Sequence, residues 1–193
     1  MPKKIDHDSR RREIAEAAAS VIGTQGIDNT RLVDVARAAQ ATTGAITHYF
    51  EGKDAVLLAA LDHVAQQILS GLKVEEPRDI VERASYALPI DEEGMRDWRV
   101  WLCFFGRAGS DPALARINKA YYEEFESGTA ELIRQYQKEG RLSQNIDPIA
   151  AANAVITAVD GLGVRATLEP ENWPPERQKT QLDAMLRPLF PAP

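Results

Sequence analysis

Cysteine and histidine are scarce in this sequence of 193 residues, which contains one cysteine and three histidines. Because a single thiol, Cys103, cannot close an internal disulfide, the sequence indicates a reducing compartment such as the cytoplasm. His7, His48 and His63 show no metal-ligand spacing with one another or with that cysteine. The sequence also lacks a nucleophile elbow, a phosphate loop and a complete dinucleotide fingerprint. We therefore expect no metal site, no cofactor and no enzyme activity.

Long apolar stretches are missing as well. No run approaches the ~18 apolar residues of a membrane-spanning helix. The first residues, MPKKIDHDSRRR, lack the apolar middle of a signal peptide. With 44% hydrophobic and 27% charged residues, the composition is typical of a globular protein with one or two small domains. No membrane partner is predicted.

An excess of positive charge is the third absence, since the formal net charge is −6. This value argues at first against a nucleic-acid partner. The charges are unevenly distributed, however, because residues 1–53 carry 8 Lys and Arg against 7 Asp and Glu, while residues 54–193 carry 15 against 22. The acidic excess lies outside the first quarter of the chain, so the N-terminal end can face an anion.

Almost the whole chain has helical periodicity, which predicts an all-α fold of about nine helices. The first predicted helix covers residues 9–24, the second ends at a break at Gln40-Ala41, and Thr42 or Thr43 starts the third, which carries Ile46, Tyr49 and Phe50. The later helices are predicted at 54–72, 78–88, 91–108, 112–139, 148–168 and 174–189. Gly23 and Gly26 are expected to end the first helix, and Thr30 to cap the second. The polar segment KVEEP at 73–77 is expected to be a linker.

The stretch TTGAITHYF at 42–50 mixes small, hydroxyl and aromatic residues. Two short helices joined by a tight turn and preceded by a longer helix are the parts of a helix-turn-helix, whose second helix enters the major groove of DNA. Ile46 and Phe50 can anchor this helix to the core. The residues small or polar enough to approach DNA are Thr42, Thr43, Gly44, Ala45 and Thr47. Hydroxyls and helix N-terminal amides bind phosphates without requiring much positive charge.

Residues 30–61, TRLVDVARAAQATTGAITHYFEGKDAVLLAAL, resemble the DNA-binding domain of TetR-type transcriptional regulators. The matching elements are Asp34-Val35-Ala36-Arg37, Ala39, Gly44, the triplet His48-Tyr49-Phe50, and Lys53 with the acidic residue after it. The resemblance implies an N-terminal three-helix helix-turn-helix domain, residues 8–68. It also implies a long helix leading to a helical domain, residues 73–190, that binds a small effector and dimerises.

The resemblance further implies that each subunit of a homodimer binds one half-site of a palindromic DNA operator. By position, Thr30, Thr43, Tyr49 and Lys53 would hold phosphates, and Thr42, Gly44, Ala45, Thr47 and His48 would lie against bases or the sugar backbone. Alternatively, Tyr49 is a core aromatic, His48 an ordinary surface residue and Lys53 a solvated charge. The basic residues Lys3, Lys4 and Arg10 to Arg12 form either an arm reaching the minor groove or a solubilising tail.

Three positions depart from the family's pattern. Gln40 stands where such proteins commonly have glycine, so either it adopts a left-handed conformation or the turn differs. Thr43 replaces a frequent lysine and Thr47 a frequent tyrosine. Both changes remove bulk, and the change at Thr43 also removes a charge, so the operator sequence is not predicted.

Aromatic residues are dense in WRVWLCFFG and INKAYYEEF. One helical face would carry Trp98, Trp101, Leu102 and Phe105, and another Ile117, Tyr121, Phe125 and Leu132. These residues form either an effector pocket, for which the candidates are Trp98, Trp101, Phe105, Tyr121 and Phe125, or a bulky core. Aromatic faces would suit an apolar or a cationic ligand.

The segment PIAAANAVITAVDGLGVRATLEP at 148–170 is apolar almost all the way round, so it must be covered on several sides. We expect a partner subunit to cover it, with the last helix contributing. The predicted contact residues are Ala151, Ala154, Ala158, Gly161, Leu182, Met185, Leu186 and Leu189. Asp160 lies in these apolar surroundings and would bind a cationic effector, or pair with Arg165 or a backbone group.

The sequence therefore predicts a dimeric, ligand-responsive DNA-binding regulator, expected to be a repressor that a small-molecule effector releases from its operator. It would act in a prokaryotic-type cytoplasm, associated with the nucleoid. One alternative is a DNA-binding protein without an effector. The other is a helical enzyme or carrier whose helix-turn-helix no longer binds DNA, and salt-insensitive or absent DNA affinity would favour it.

Overall fold

The computed structural model describes residues 7–71 and 79–190, and the regular elements in those ranges are all helical. The predicted all-α fold is confirmed, with nine α-helices in the part of the chain that the structure describes. They are α1 (His7–Gln25), α2 (Leu32–Ala38), α3 (Thr43–Tyr49), α4 (Gly52–Gly71), α5 (Ile80–Ser85), α6 (Glu92–Ala108), α7 (Pro112–Lys138), α8 (Pro148–Leu168) and α9 (Pro175–Leu186). A short 3-10 helix, Arg187–Leu189, follows α9. The predicted linker at 73–77 lies outside the described residues.

Side-chain caps explain where three of the later helices begin. Asp79 Oδ1 accepts hydrogen bonds from the backbone N–H groups of Val81, at 3.0 Å, and Glu82, at 2.9 Å. Asp111 and Asp147 cap α7 and α8 in the same way, and a proline follows each of them. Because proline lacks the N–H that would be unsatisfied at the first helical position, an Asp-Pro pair favours a helix start.

The described helices form two compact units. The first contains the described residues up to Gln67 together with Arg96–Gly106 of α6, and the second contains Ile68–Met95 and the described chain from Arg107 onward. The sequence prediction assigns all of α6 to the C-terminal domain, so the packing units differ from the predicted domains. The functional domain boundaries stay a prediction.

The core of the first unit is built from one apolar face of each of the helices α1 to α4. Ile14, Ile22, Val35, Ile46 and Val56 are almost completely buried. Helix α2 packs on α1 and α3, and α3 also contacts α1. With only seven residues, α3 is too short to be stable by itself in water. Its position therefore depends on these contacts.

Only one of the two glycines predicted to end the first helix does so. Helix α1 ends at Gln25, and Gly26 follows it in the left-handed conformation, with φ of 80°, whereas Gly23 lies within the helix. A Cβ added at Gly23 would lie 2.9 Å from the carbonyl oxygen of Arg96. Gly23 therefore permits the close approach of α1 and α6 within the first unit.

In the second unit, α8 packs against both α7 and α9. On α7 the sequence predicts that Ile117, Tyr121, Phe125 and Leu132 share one face. The structure buries Phe125 of this set, and the other three are half-buried. The residues buried beyond Phe125 include Thr129, Ile133 and Tyr136, whose spacing follows the helical repeat.

Helix α8 is long and apolar enough to cross a membrane by length and composition alone. Eight of its residues are buried inside the protein. A single helix of this kind is weak evidence for a membrane span, because the core helix of a soluble protein passes the same test. We describe α8 as the central core helix of the second unit.

Candidate DNA interface and effector site

Helix α3 presents a face of small and polar residues at the surface of the first unit. Its N-cap residue Thr42 accepts a hydrogen bond from the backbone N–H of Ala45 through Oγ1, at 3.1 Å. Ile46 and Phe50 are buried, as the sequence predicts. The exposed residues are Thr42, Thr43, Gly44, Thr47 and His48, and Ala45 is half-buried. Because the side chains near the helix N-terminus are short, another surface can approach the helix backbone closely.

The turn before α3 contains the position where the family commonly has glycine. Gln40 has φ of 49°, so the structure selects the left-handed alternative. The backbone N–H of Gln40 donates to the carbonyl of Arg37 at 3.2 Å, and that of Ala41 donates to the carbonyl of Ala36 at 2.8 Å. These bonds satisfy carbonyls at the end of α2. The turn thus forms although its left-handed residue carries a side chain.

Thr30 occupies a different place from the predicted one. Its side chain is only 1% exposed, and its hydroxyl donates to the carbonyl of Gly26 at 2.8 Å. The N-cap of α2 is Arg31, so the predicted capping role of Thr30 is wrong. The buried hydroxyl of Thr30 is also not available to a phosphate, and we remove this residue from the candidate DNA contacts.

Tyr49 and Lys53 lie just beyond the exposed face of α3. Tyr49 is half-buried, and its ring centroid lies 4.8 Å from that of His7 and 5.2 Å from that of His48. Lys53 is half-buried in the first turn of α4. Part of each side chain remains accessible, so both stay candidates for phosphate contact.

The basic residues of α1 correct another prediction. The sequence predicts an arm or tail formed by Lys3, Lys4 and Arg10 to Arg12. The two lysines lie outside the described residues, whereas the three arginines belong to α1. Arg10 Nη2 donates to the carbonyl oxygen of Ala39 at 3.2 Å, and Arg11 Nη1 donates to the carbonyl oxygen of Tyr49. The sequence contains no local signal for these contacts, because the partners lie 29 and 38 residues away.

A half-buried carboxylate distinguishes the second unit. Asp160 of α8 accepts a hydrogen bond from the Tyr122 hydroxyl of α7, with an O–O distance of 2.7 Å. Burial raises the pKa of Asp160 to about 6, and the hydrogen bond from Tyr122 opposes this increase. Arg165, one of the partners that the sequence suggests, pairs instead with Glu169 at 3.6 Å. Among residues 7–71 and 79–190, no cationic side chain pairs with Asp160.

The tryptophans predicted to line an effector pocket are core residues. Trp98 is 3% and Trp101 2% exposed, so their rings have almost no accessible surface. The ring of Trp101 packs edge-on against that of Phe105, with centroids 5.4 Å apart. The pocket assignment is therefore wrong for the two tryptophans in this structure. For them the alternative of a bulky core is confirmed.

Two other aromatic residues of α7 lie close to Tyr122 in the sequence. The Tyr122 ring packs edge-on against Phe125, with centroids 6.1 Å apart, and Tyr121 is half-buried. The sequence prediction names Tyr121, Phe125 and Asp160 but misses Tyr122. The two tyrosines are adjacent in the sequence, and only the helical phase of α7 decides which of them reaches α8.

The predicted dimer-contact residues divide into two groups. Ala151, Ala158, Leu182 and Leu186 are buried within their own subunit, so their assignment to a surface for a partner is corrected. Gly161, Met185 and Leu189 are exposed, and Ala154 is half-buried. Leu168, at the end of α8, is 70% exposed, while Met185 is 44% and Leu189 43% exposed. An apolar surface on α8 and α9 is therefore left uncovered by the subunit itself.

Comparisons with known protein families match the N-terminal and the C-terminal parts of the chain to two separate family profiles. The profile described as bacterial regulatory proteins, tetR family, matches residues 14–60. The profile described as BetI-type transcriptional repressor, C-terminal, matches residues 77–191, which is more than half of the chain. The chain belongs to the TetR family. This result confirms the resemblance on which the sequence prediction depends.

Individual relatives of this TetR-family protein are similar over most of their length. The HTH-type transcriptional regulator PksA of Bacillus subtilis (strain 168) is 32% identical over 180 residues, which cover 88% of this chain and 84% of the relative. A transcriptional regulator from Rhodococcus sp. Rha1 has a TM-score of 0.78 at 25% identity, covering 93% of this chain and 95% of the other. A transcriptional regulator from Saccharomonospora viridis, solved in complex with choline, has a TM-score of 0.77 at 22% identity, covering 95% and 98%.

Membership in the TetR family establishes the class of function. The chain is a dimeric, ligand-responsive DNA-binding transcriptional regulator, of the repressor type that its C-terminal profile describes. Regulators of this type act in the cytoplasm on DNA operators and respond to small molecules. The relatives are named as transcriptional regulators and not as enzymes.

Proposed function

We propose that this repressor binds a palindromic operator through one α3 helix per subunit and leaves it when a small cation binds beside Asp160. The exposed face of α3 carries the proposal. In it, residues 8–68 form the DNA-binding domain and residues 73–190 the effector-binding and dimerisation domain. The protein acts at the nucleoid and has no catalytic activity.

The proposed DNA contacts follow from what α3 exposes. Phosphates are held by Thr43, Tyr49 and Lys53, and bases or sugars lie against Thr42, Gly44, Ala45, Thr47 and His48. The hydroxyl of Thr47 donates to the carbonyl of Gly44 at 3.1 Å. With its hydrogen used in this way, Thr47 offers a base edge an acceptor oxygen and a methyl group.

Two copies of α3 are needed to read a palindrome. In a dimer that binds successive major grooves, the two recognition helices lie about 34–36 Å apart. The uncovered apolar residues of α8, α9 and the 3-10 helix after it supply a surface for such pairing, because contact with a second copy removes Leu168, Met185 and Leu189 from water.

A cationic effector accounts for the environment of Asp160. The carboxylate is mostly ionised at neutral pH, since its pKa is raised only to about 6. Among the described residues it has the Tyr122 hydroxyl as partner but no counter-ion. A quaternary ammonium group would supply the missing positive charge and contact the neighbouring aromatic rings. The BetI-type match and the similar fold solved with choline support this ligand class.

Release from DNA requires that the cation bind one dimer geometry more tightly than another. A ligand can shift a conformational equilibrium only by its differential affinity for the two states. We propose that the ligand-bound dimer favours a different spacing of the two α3 helices. Operator affinity then falls because both helices no longer fit successive grooves.

The first experiment is a selection of random duplex DNA by the purified protein at two salt concentrations. We expect enrichment of a palindrome with half-sites about one helical turn apart, and affinity that falls steeply with salt. Absence of enrichment, or affinity independent of salt, would contradict DNA reading by α3. The enriched sequence then serves as the operator in all later measurements.

The second experiment titrates choline into the complex of repressor and operator. Asp160→Asn should raise the choline concentration for half release by at least about tenfold, because the charge pair is lost. Glu131→Gln removes an exposed carboxylate of α7 and is the control that should behave like the unmodified protein. The uncharged isostere 3,3-dimethylbutan-1-ol should not release the operator. Equal release by the alcohol, or by choline from the Asp160 variant, would exclude the cationic site.

A further inference from the structure

Two neighbouring arginines of α1 hold the C-terminal ends of both helices of the helix-turn-helix. Arg10 Nη2 donates to the carbonyl oxygen of Ala39, the C-cap residue of α2, at 3.2 Å. Arg11 Nη1 donates to the carbonyl oxygen of Tyr49, the last residue of α3. One turn of α1 is therefore connected to α2 and to α3 at the same time.

The C-terminal end of a helix is a favourable place for an arginine contact. The last carbonyls of a helix have no partner within the helix, and the C-terminal end carries partial negative charge. A guanidinium satisfies such a carbonyl and complements the charge. The Arg11 guanidinium also lies over the Phe50 ring, with its Cζ atom 4.3 Å from the ring centroid. Phe50 is the buried C-cap residue of α3, so Arg11 holds this end through both the backbone and a core side chain.

Both guanidiniums are already engaged inside the protein. Arg10 also pairs with Glu13 in α1, and its side chain is 22% exposed. Arg11 is half-buried. Arg12, the next residue, is exposed and shares none of these contacts among the described residues. The three consecutive arginines have the composition of a DNA-binding arm. Two of them nevertheless make contacts inside the protein, and only the third is exposed.

We infer that Arg10 and Arg11 are positioning residues that set how accurately α3 discriminates between operators. The inference rests on the proposed operator reading by α3. Helix α3 has only seven residues, and its orientation relative to α2 depends on contacts from outside the helix. Contacts to base edges require closely defined geometry, whereas phosphate contacts position the protein without reading sequence. Loss of the arginine contacts therefore reduces sequence discrimination more than it reduces general affinity for DNA.

The test compares three variants, Arg10→Ala, Arg11→Ala and Arg12→Ala, each of which removes one positive charge. Binding is measured for the selected operator and for a scrambled duplex over a series of salt concentrations. For Arg11→Ala we expect operator affinity to fall by about tenfold or more, and the ratio of specific to non-specific affinity to fall with it. Arg10→Ala should have a smaller effect in the same direction, and Arg12→Ala should leave the ratio unchanged.

The salt dependence separates positioning from phosphate contact. Removal of a phosphate contact lowers the slope of log K against log salt by about 0.9 and weakens binding to all sequences alike. For Arg10→Ala and Arg11→Ala we expect the slope to remain unchanged while discrimination falls. A reduced slope with an unchanged ratio would show phosphate contacts, and unchanged operator affinity would show no role; either result overturns the inference.

A conservative variant keeps the test valid if Arg11→Ala folds poorly. Arg11→Lys retains the charge and a donor nitrogen but cannot place a planar guanidinium over Phe50. We expect partial recovery of discrimination, measured below the melting temperature of each variant. Failure of the unmodified protein to enrich any operator would refute the proposed function. An enriched operator that all these variants recognise as well as the unmodified protein would refute the arginine role alone.

Discussion

The exposed faces of α3 and of the α8–α9 pair have opposite chemistry. Helix α3 exposes hydroxyls and an imidazole on a seven-residue segment. Helices α8 and α9, of 21 and 12 residues, expose Leu168 and Met185, and the 3-10 helix after α9 exposes Leu189. Polar groups at defined positions suit a phosphate backbone and base edges, whereas uncovered apolar area suits another protein surface. The polar face of α3 therefore indicates a DNA partner, and the apolar face of α8 and α9 indicates a protein partner.

We expect the largest effect on operator affinity from substitutions in the apolar face of α8 and α9. The double substitution Leu168→Asp with Met185→Asp places two charges on the proposed dimer surface without changing a buried residue. We expect a monomer by size-exclusion chromatography with light scattering. Operator affinity should fall by about 100-fold or more, because the second half-site no longer benefits from a linked subunit.

The matched control for this prediction is Tyr86→Asp. Tyr86 is 45% exposed, close to the 44% of Met185. It lies at the end of α5 and not on α8 or α9. The control should remain dimeric and bind the operator normally. A double variant that stays dimeric would show that the subunits pair through another surface.

Gly161 of α8 offers a second test of the proposed dimer surface. Gly161 is exposed, and a Cβ there would meet no atom within 4 Å in its own subunit. Gly161→Leu should increase the stability of the isolated subunit by up to about 1 kcal/mol, because leucine favours the helix. The same change should weaken dimerisation by about tenfold or more if a second copy packs closely there. Subunit stability and dimer affinity would thus change in opposite directions.

Gly128 of α7 supplies the control, since its Cβ would also meet no atom within 4 Å. Gly128→Leu should bring the gain in helix stability without weakening the dimer. Analytical ultracentrifugation of both variants over a range of concentrations measures the dimer affinity directly. Equal effects at the two glycines would remove Gly161 from the proposed interface.

The sequence predicts the exposed face of α3 better than the exposed face of α8 and α9. Periodicity and the prolines at the breaks determine the helices, because both signals are local, and the bounds of α7 and α8 agree to within one residue. The exposed face of α3 is also predictable, since Ile46 and Phe50 fix which side turns inward. On α8, by contrast, almost every residue is apolar, and the apolar residues of α9 are grouped near its end. Composition alone therefore cannot tell Leu182, buried in its own subunit, from Met185, which is exposed.

The missed features depend on contacts between distant parts of the chain. Arg10 and Arg11 look like the start of a basic arm until α1 is packed against α2 and α3. Thr30 has the sequence position of a helix cap, but its hydroxyl is bonded to Gly26. Trp98 shows the same limit, since helical periodicity does not reveal how completely other elements cover it.

Asp160 provides a third prediction, because it is a carboxylate within the apolar helix α8. Its pKa is raised to about 6 from an ordinary value of 3.8, so the folded state binds its proton more tightly than the unfolded state. The stabilisation from protonation is complete below the unfolded value and is lost as pH rises through about 6. We expect Asp160→Asn to increase the free energy of unfolding by up to about 3 kcal/mol near neutral pH.

The gain from Asp160→Asn should shrink towards zero on acidification to about pH 4, where the native carboxyl is protonated. Chemical denaturation at a series of pH values and at fixed protein concentration measures this difference. Glu131→Gln is again the control, because its carboxylate is exposed on α7. A gain for Asp160→Asn that is the same at every pH would contradict the burial of an ionised group.

The smallest expected effect lies in the turn that leads into α3. Gln40 has φ of 49°, a conformation that glycine adopts more easily, so Gln40→Gly should increase the free energy of unfolding by up to about 1 kcal/mol. Gln135→Gly, in the regular helix α7, should have the opposite sign, with a loss of about 1 kcal/mol. Because Gln40 is exposed and lies outside α3, operator affinity should not change in Gln40→Gly. Reduced affinity in a more stable variant would instead show that the Gln40 side chain contacts DNA, and would extend the polar DNA-binding surface from α3 into the turn.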